Sequence, residues 1–393
     1  MVEEKTVPEL HFSRNEFAQR ITNARKVLKN KKLDALLVFS QESHYYLTGF
    51  DTAGYVFFQC AVITADEQPV TLLTRRPDLQ QAKETSVILD IRVWYDAEGA
   101  NPANELRDIL SEKGLAGCRI GIELNTYGLT GLSYDRVLNA LENWCTLEDA
   151  SDVVRGLRLI KSPAELEYVR KAAQISDAAL LDMIQTCHPN TLDTMVTGAG
   201  LNAMLSNGGD VPPAGPLVNC GRRALYGRSV TGSHAIKDED QVTIEFASSY
   251  LRYTTCIMRT VVVGAVSSIQ REMFNVVSDA IMAMTEAAAP NKPLGNIDDA
   301  HRKVFDEAGH NVHRFSACGY SLGATFRPSW MDVPPMIYSG NPLLCEPGMV
   351  FFLHAMLANT DAGYAMSFGH TLVITDNGRE VLSGLPIELA SNS

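Results

Sequence analysis

Val242-Thr-Ile-Glu-Phe-Ala-Ser-Ser-Tyr-Leu-Arg-Tyr-Thr-Thr-Cys-Ile-Met-Arg-Thr-Val-Val262 is the stretch on which the reading of this chain turns. It sets one carboxylate, Glu245, between Ile244 and Phe246, in surroundings where an ionised group is rarely left unpaired. In an extended chain Glu245 shares a face with Thr243 and points away from Ile244. Eleven residues later comes Cys256, and Arg259-Thr260 follows it. Either Glu245 is neutralised by a structural partner such as Arg259, or it stands in a working pocket. Cys256 is likewise either a small packed hydrophobe or part of that pocket.

The rest of the chain supplies the frame. At 393 residues it exceeds the size at which one hydrophobic core usually stops growing, so two domains are expected. Apolar residues at 46% and charged residues at 20% are ordinary for a globular protein. A net charge of -12 argues against a nucleic-acid or anionic-membrane partner. The start, Met-Val-Glu-Glu-Lys-Thr-Val-Pro, has no basic segment leading into an apolar run, and no uncharged apolar stretch reaches the length of a membrane span. Neither a signal peptide nor a membrane segment is therefore expected. The eight cysteines lack paired spacing and read as reduced thiols of a cytoplasmic protein.

Up to about residue 150, helical and strand patterns alternate as in an α/β domain. The patterns predict a helix over 17–30 and strands over 35–39, 54–64, 70–74 and 119–123. The domain boundary falls between 150 and 158 and is drawn so that residues 1–152 and 153–393 form the two domains. Just beyond it, Ser162-Pro163-Ala-Glu165 reads as a helix start, with a capping serine, a proline suited to the first turn and a glutamate completing a capping box. Further helices are predicted over 192–207, 268–288 and 297–308. Strands fill the remainder, giving an α+β domain with helices on one face of a curved antiparallel sheet.

Three more motifs belong to the argument: Gly319-Tyr320-Ser-Leu-Gly323, Pro347-Gly-Met-Val-Phe351 followed by His354, and Gly369-His370. With the spacing from Glu245 to Cys256 and the Arg259-Thr260 pair, this frame resembles the creatinase/aminopeptidase family from about Phe12 to Ile387. The resemblance implies a creatinase-like α/β N-terminal domain, with Ser43 to Phe50 as its strand-to-loop element, and an α+β pita-bread catalytic domain. It also implies that five positions would, in metal-dependent members, hold two divalent ions. Here they read Glu245, Cys256, Tyr320, His354 and Gly369, and only one is a carboxylate. A dinuclear site needs several converging hard oxygen donors, so no metal and no other cofactor is expected. Glu245, Cys256 and His354 alone retain the donor types of a single zinc site.

The stretches Thr74 to Gln81, Gly121 to Thr130, Cys318 to Trp330 and Glu346 to His354 resemble the branch of the family that opens a cyclic amidine bearing a ring carboxylate. In that reading Glu245 attacks the amidinium carbon or deprotonates the attacking water, and His354 with Tyr320 handles the proton for the departing nitrogen. Cys256 shares the catalytic pocket. Arg228, seven residues after Gly221, would hold the substrate carboxylate through its planar fork, with Arg222 and Arg223 as alternatives. Phe326, Trp330, Tyr253 and His370 complete the expected substrate surroundings.

Each position also has a structural reading: His354 as a core histidine on a buried strand, Tyr320 as a turn cap, the aromatics as loop packing. Thr254 stands where a histidine is expected in several relatives, and His370 replaces a more usual Glu or Arg. These departures leave open another amidine, a guanidino compound or an amide as substrate, and, from a different class, a non-catalytic binding protein. The resemblance further implies a homodimer with Tyr45, Tyr46 and Phe50 near a partner's pocket.

Overall fold

A computed structural model describes residues 8–392. The chain divides into two compact units that meet at Arg158 and Leu159, a few residues beyond the expected 152/153.

The first unit is built on a six-stranded mixed sheet of β1 (Ala35–Val38), β2 (Cys60–Thr64), β3 (Thr71–Arg75), β4 (Asp90–Trp94), β5 (Arg119–Ile122) and β6 (Thr146–Asp149), in the order β4-β3-β2-β1-β5-β6. The helix over 17–30 is present as Arg14–Lys31, capped by the Ser13 side chain. Two expectations fail here. The 54–64 stretch is a strand only from Cys60, because Gly54–Val56 form a helical turn seated by the Thr52 hydroxyl on the Gly54 amide at 2.9 Å. The 43–50 element is a helix, Gln41–Thr48, closed by Gly49 in the left-handed conformation. Its start is held by the buried Glu123 carboxylate, which accepts from the Phe39 and Ser40 amides at 3.0 and 2.8 Å and from the Ser43 hydroxyl at 2.6 Å.

The second unit carries β7 (Leu217–Cys220), β8 (Gln241–Tyr250), β9 (Tyr253–Val263), β10 (Gly319–Ser321), β11 (Val350–Asn359), β12 (Tyr364–Thr375), β13 (Gly378–Val381) and β14 (Ala390–Asn392). The main sheet runs β10-β11-β12-β9-β8-β7, with β13 on β12 and β14 on β9. All of these pairs are antiparallel except β14 with β9. The capping box at Ser162 forms as predicted: Ser162 Oγ accepts from the Glu165 amide, and Glu165 Oε2 accepts from the Ser162 amide at 2.9 Å. A second box, Ser267 with Gln270, starts the helix Ser268–Ala287.

Strand alternation divides the sheet into two faces. Val242, Ile244 and Phe246 of β8 and Ile257, Val261 and Val263 of β9 pack with residues of the helices Pro163–Thr186 and Asp193–Ser206. Phe351, Leu353, Ala355 and Leu357 of β11 and Phe368 and Leu372 of β12 pack with the helices Ser268–Ala287 and Gly295–Glu307. Each such large side chain contributes roughly 1.5–3 kcal/mol by leaving water. That burial fixes the strand faces, since a slip of one residue would turn every apolar side chain outward. The residues between them are thereby presented on the opposite face. Among the described residues no helix is long and apolar enough to cross a membrane.

Candidate active site

The face turned away from the helices carries one continuous row of paired residues. Leu217 pairs with Glu245, Glu245 with Met258, Met258 with Gly369, and Gly369 with His354. Glu245 and His354, 109 residues apart in sequence, are thus three strand spacings apart in one row, on the order of 14 Å along a flat sheet. Both side chains lie on the wall of a 630 Å³ cavity. Arg228, Tyr320 and Trp330 line the same cavity.

Burial sets the electrostatics. Glu245 is pushed up to about 7 by desolvation, against the opposing pull of the Tyr320 hydroxyl and the Arg228 charge. His354 is pushed down to about 3 by burial and then by the nearby His301, so it stands as a neutral imidazole at neutral pH. The Tyr320 hydroxyl accepts from Trp330 Nε1 at 2.7 Å, and its single proton faces Glu245 Oε1 at 3.4 Å and Cys256 Sγ at 3.7 Å. Burial raises the Tyr320 and Cys256 pKa values well above their ordinary range, so both keep their protons. A carboxylate that titrates near neutrality on the wall of a cavity that also carries a neutral histidine is equipped for nucleophilic attack or general-base catalysis.

The remaining expected residues fall elsewhere. Cys256 is buried on the cavity face but does not line the cavity; its amide donates to Thr371 Oγ1 at 2.9 Å. His370 follows Gly369 and so points to the opposite face, where its Nε2 meets Thr285 Oγ1 at 2.9 Å on the helix Ser268–Ala287. Tyr253 donates its hydroxyl to Glu165 Oε1 at 2.7 Å, tying β9 to a helix start instead of reaching the cavity. Phe326 is buried under the Arg252 guanidinium, 5.2 Å from the ring centroid, and is not on the wall. Arg222 and Arg223 do not line the cavity either. Arg259 is not the partner of Glu245: it pairs in register with Ile244, lies over Phe368 at 3.5 Å, and donates to the Met258 and Gly369 carbonyls at 2.8 and 2.7 Å.

Sequence reasoning missed the rest of the wall, chiefly Met258, Met331, Met336, Met356 and Phe315. Met258 and Met356 were accessible in principle from strand parity, as residues two on from Cys256 and His354. The two loop methionines carry no such signal.

The residues at the five metal positions do not fit a dinuclear centre. Glu245 is the single carboxylate lining the cavity among the described residues. At Gly369 a Cβ would lie 2.5 Å from Phe352 Cζ and 3.0 Å from the Leu353 carbonyl oxygen, so the Phe352 ring fills the space a ligand side chain would need. The Tyr320 oxygen is already engaged by the Trp330 indole. A separate buried trio, Asp298, His301 and Cys318, has donor atoms within 4.8 Å of one another. There the Asp298 charge is already met by Arg302 Nε at 2.8 Å and the Ser339 amide at 2.9 Å, with Arg314 Nη1 at 3.9 Å.

Comparison with known proteins agrees with this architecture. Residues 167–376 match the model of metallopeptidase family M24, and residues 20–160 match the creatinase/prolidase N-terminal domain. The ectoine hydrolase of Halomonas elongata is 26% identical over 396 residues, covering 97% of this chain and 98% of that protein. The Xaa-Pro dipeptidase of Pyrococcus furiosus is 25% identical over 374 residues, covering 94% and 99%. The solved structure of a Xaa-Pro dipeptidase from Bacillus anthracis has the same fold, with a TM-score of 0.83 at 22% identity over 95% of this chain and 99% of that one.

Proposed function

The chain belongs to metallopeptidase family M24, and from that premise we propose that it is a metal-independent hydrolase that opens the cyclic amidine ring of ectoine to N-acetyl-diaminobutyrate. One observation carries the reading: the cavity holds Glu245, titrating near 7, and neutral His354, at positions where the family frame would put metal ligands. The similarity to an ectoine hydrolase across nearly the whole chain supports the choice of substrate.

In this reading the ionised Glu245 adds to the electrophilic amidinium carbon, the ring C–N bond breaks as its nitrogen takes a proton, and water then releases the N-acetyl product from Glu245. Water attack assisted by Glu245 as general base reaches the same product. His354 and Tyr320 are the proton-handling groups on the wall, and Arg228 receives the ring carboxylate. The reading also includes a cytoplasmic homodimer, and the eight cysteines are all free thiols, as in a reducing compartment.

A second reading, hydrolysis of a C–N bond in an amide larger than ectoine, is favoured by the cavity volume of 630 Å³, which lies in the range that drug-sized ligands occupy. The deciding experiment follows ectoine by proton NMR with purified protein, with and without EDTA. Ring opening at equal rates in both supports the reading. Loss of turnover with EDTA overturns metal independence, and no turnover of folded protein in either condition removes ectoine as the substrate.

A further inference from the structure

Of the eight cysteines six are buried, and the two that are only half-buried, Cys118 and Cys145, belong to neighbouring strands of the first unit. β5 and β6 run parallel with Arg119 opposite Thr146, so the residues just before them, Cys118 and Cys145, come opposite each other. The backbone holds them there. The Thr146 amide donates to the Cys118 carbonyl at 2.9 Å, and the Gly117 amide donates to the Trp144 carbonyl at 2.8 Å. Neighbouring strands lie about 4.8 Å apart, inside the range of roughly 4.4–6.8 Å that a disulfide spans between its Cα atoms. Both side chains also turn the same way, since both pack against the apolar cluster that contains Ile120 and Ile122 of β5 and Val137 and Leu141.

Cys145 lies on the wall of a 320 Å³ cavity, with Asn139, Leu141, Glu142, Asn143 and Leu147, and Cys118 does not. A reagent therefore meets Cys145 first. Burial raises both thiols, aided at Cys118 by the Asp34 carboxylate and at Cys145 by Cys118, so both rest protonated at neutral pH and exchange slowly. We propose that Cys118 and Cys145 form a dithiol modification site, which a low-molecular-weight disulfide converts into a reversible intramolecular disulfide. The Cys145 thiolate attacks one sulfur of the reagent and expels its partner as a thiolate; the Cys118 thiolate then attacks the Cys145 sulfur and expels the second. The two protons leave on the two released thiols, and the two electrons lost by the protein reduce the reagent. The bond ties β6, the outer strand of its sheet, to β5 and closes the segment that carries the helix Gly131–Ala140. An outer strand is where a sheet is open to pairing with other chains, so this is the strand that a staple protects. The site is independent of the hydrolase reading.

The test incubates the folded full chain with excess oxidised glutathione, blocks the remaining thiols with iodoacetamide in denaturant, and maps the peptides by mass spectrometry without reduction. The expected result is the loss of two of the eight thiols and one cross-linked peptide pair, Cys118 to Cys145, two hydrogens lighter than the reduced peptides. In Cys118→Ser the reaction should stop at a glutathione adduct on Cys145, because the second attacking thiolate is gone; Cys118→Ala repeats the experiment should the serine variant not fold. Glutathione retained on either cysteine of the wild type without a cross-link would show that the two thiols do not meet, and overturns the proposal. A wild type that keeps all eight thiols, or a cross-link from Cys145 to a different cysteine, overturns it equally.

Discussion

At the residue scale, Glu245 is a carboxylate whose folded pKa, about 7, lies above its ordinary value of 4.5. The native state therefore holds a proton that the unfolded chain releases between those values, and the sign of the linkage follows. Stability from this group is fully present below 4.5 and declines as pH rises through 7. Glu245→Gln removes the decline, so its melting temperature should exceed that of wild type by a margin that grows from pH 5 to pH 8. The expected gain at pH 8 is on the order of 1–3 kcal/mol, while turnover is lost. A margin independent of pH would show that the carboxylate is not raised. In the wild type, kcat/KM should increase with pH and level off above about 7, as the attacking carboxylate ionises.

At the scale of the strand, the site is a consequence of parity. The apolar residues of β8, β9, β11 and β12 commit one face to the helices, which leaves Glu245, Met258 and His354 on the other. This much was legible in the sequence, because Ile244 and Phe246 fix the direction of Glu245, and Phe351 and Leu353 fix that of His354. The same rule, applied to Gly369, would have excluded His370, which is packed against Thr285. What was not legible depends on tertiary contact. No local pattern shows that Tyr253 closes onto Glu165, or that Gln41–Thr48 folds as a helix with its start held by the Glu123 carboxylate. Gly369 offers a test at this scale, since a Cβ there would strike Phe352 Cζ at 2.5 Å. Gly369→Ala should destabilise by roughly 1–3 kcal/mol in denaturant unfolding. Combined with Phe352→Leu it should cost less than the sum of the single changes, because the smaller side chain removes the clash. Strict additivity would mean that the ring does not close the position.

At the scale of the whole molecule, an M24 fold is joined to a proposed site whose described wall carries one carboxylate, and the two make opposite thermodynamic predictions. A ligand that binds only the native state raises its stability by RT ln(1 + [L]/Kd), about 2.7 kcal/mol at a hundredfold excess over Kd. In a chain of 393 residues a gain of that size is a shift of a few degrees in melting temperature. A dinuclear enzyme would show it on adding manganese, cobalt or zinc, and would lose it to a chelator. With Glu245 as the one carboxylate on the cavity wall among the described residues and Phe352 filling the space beside Gly369, no such shift is expected. Among the described residues the donor atoms of Glu245, Cys256 and His354 do not come together within 4.8 Å, but these residues have the donor types that bind zinc, so zinc is the most demanding case. A saturable, EDTA-reversible rise in melting temperature with zinc that disappears in Glu245→Gln would place a metal in this cavity and overturn the metal-free reading. A rise that persists in that variant would locate the ion elsewhere, for which the Asp298, His301 and Cys318 trio is the site to mutate next.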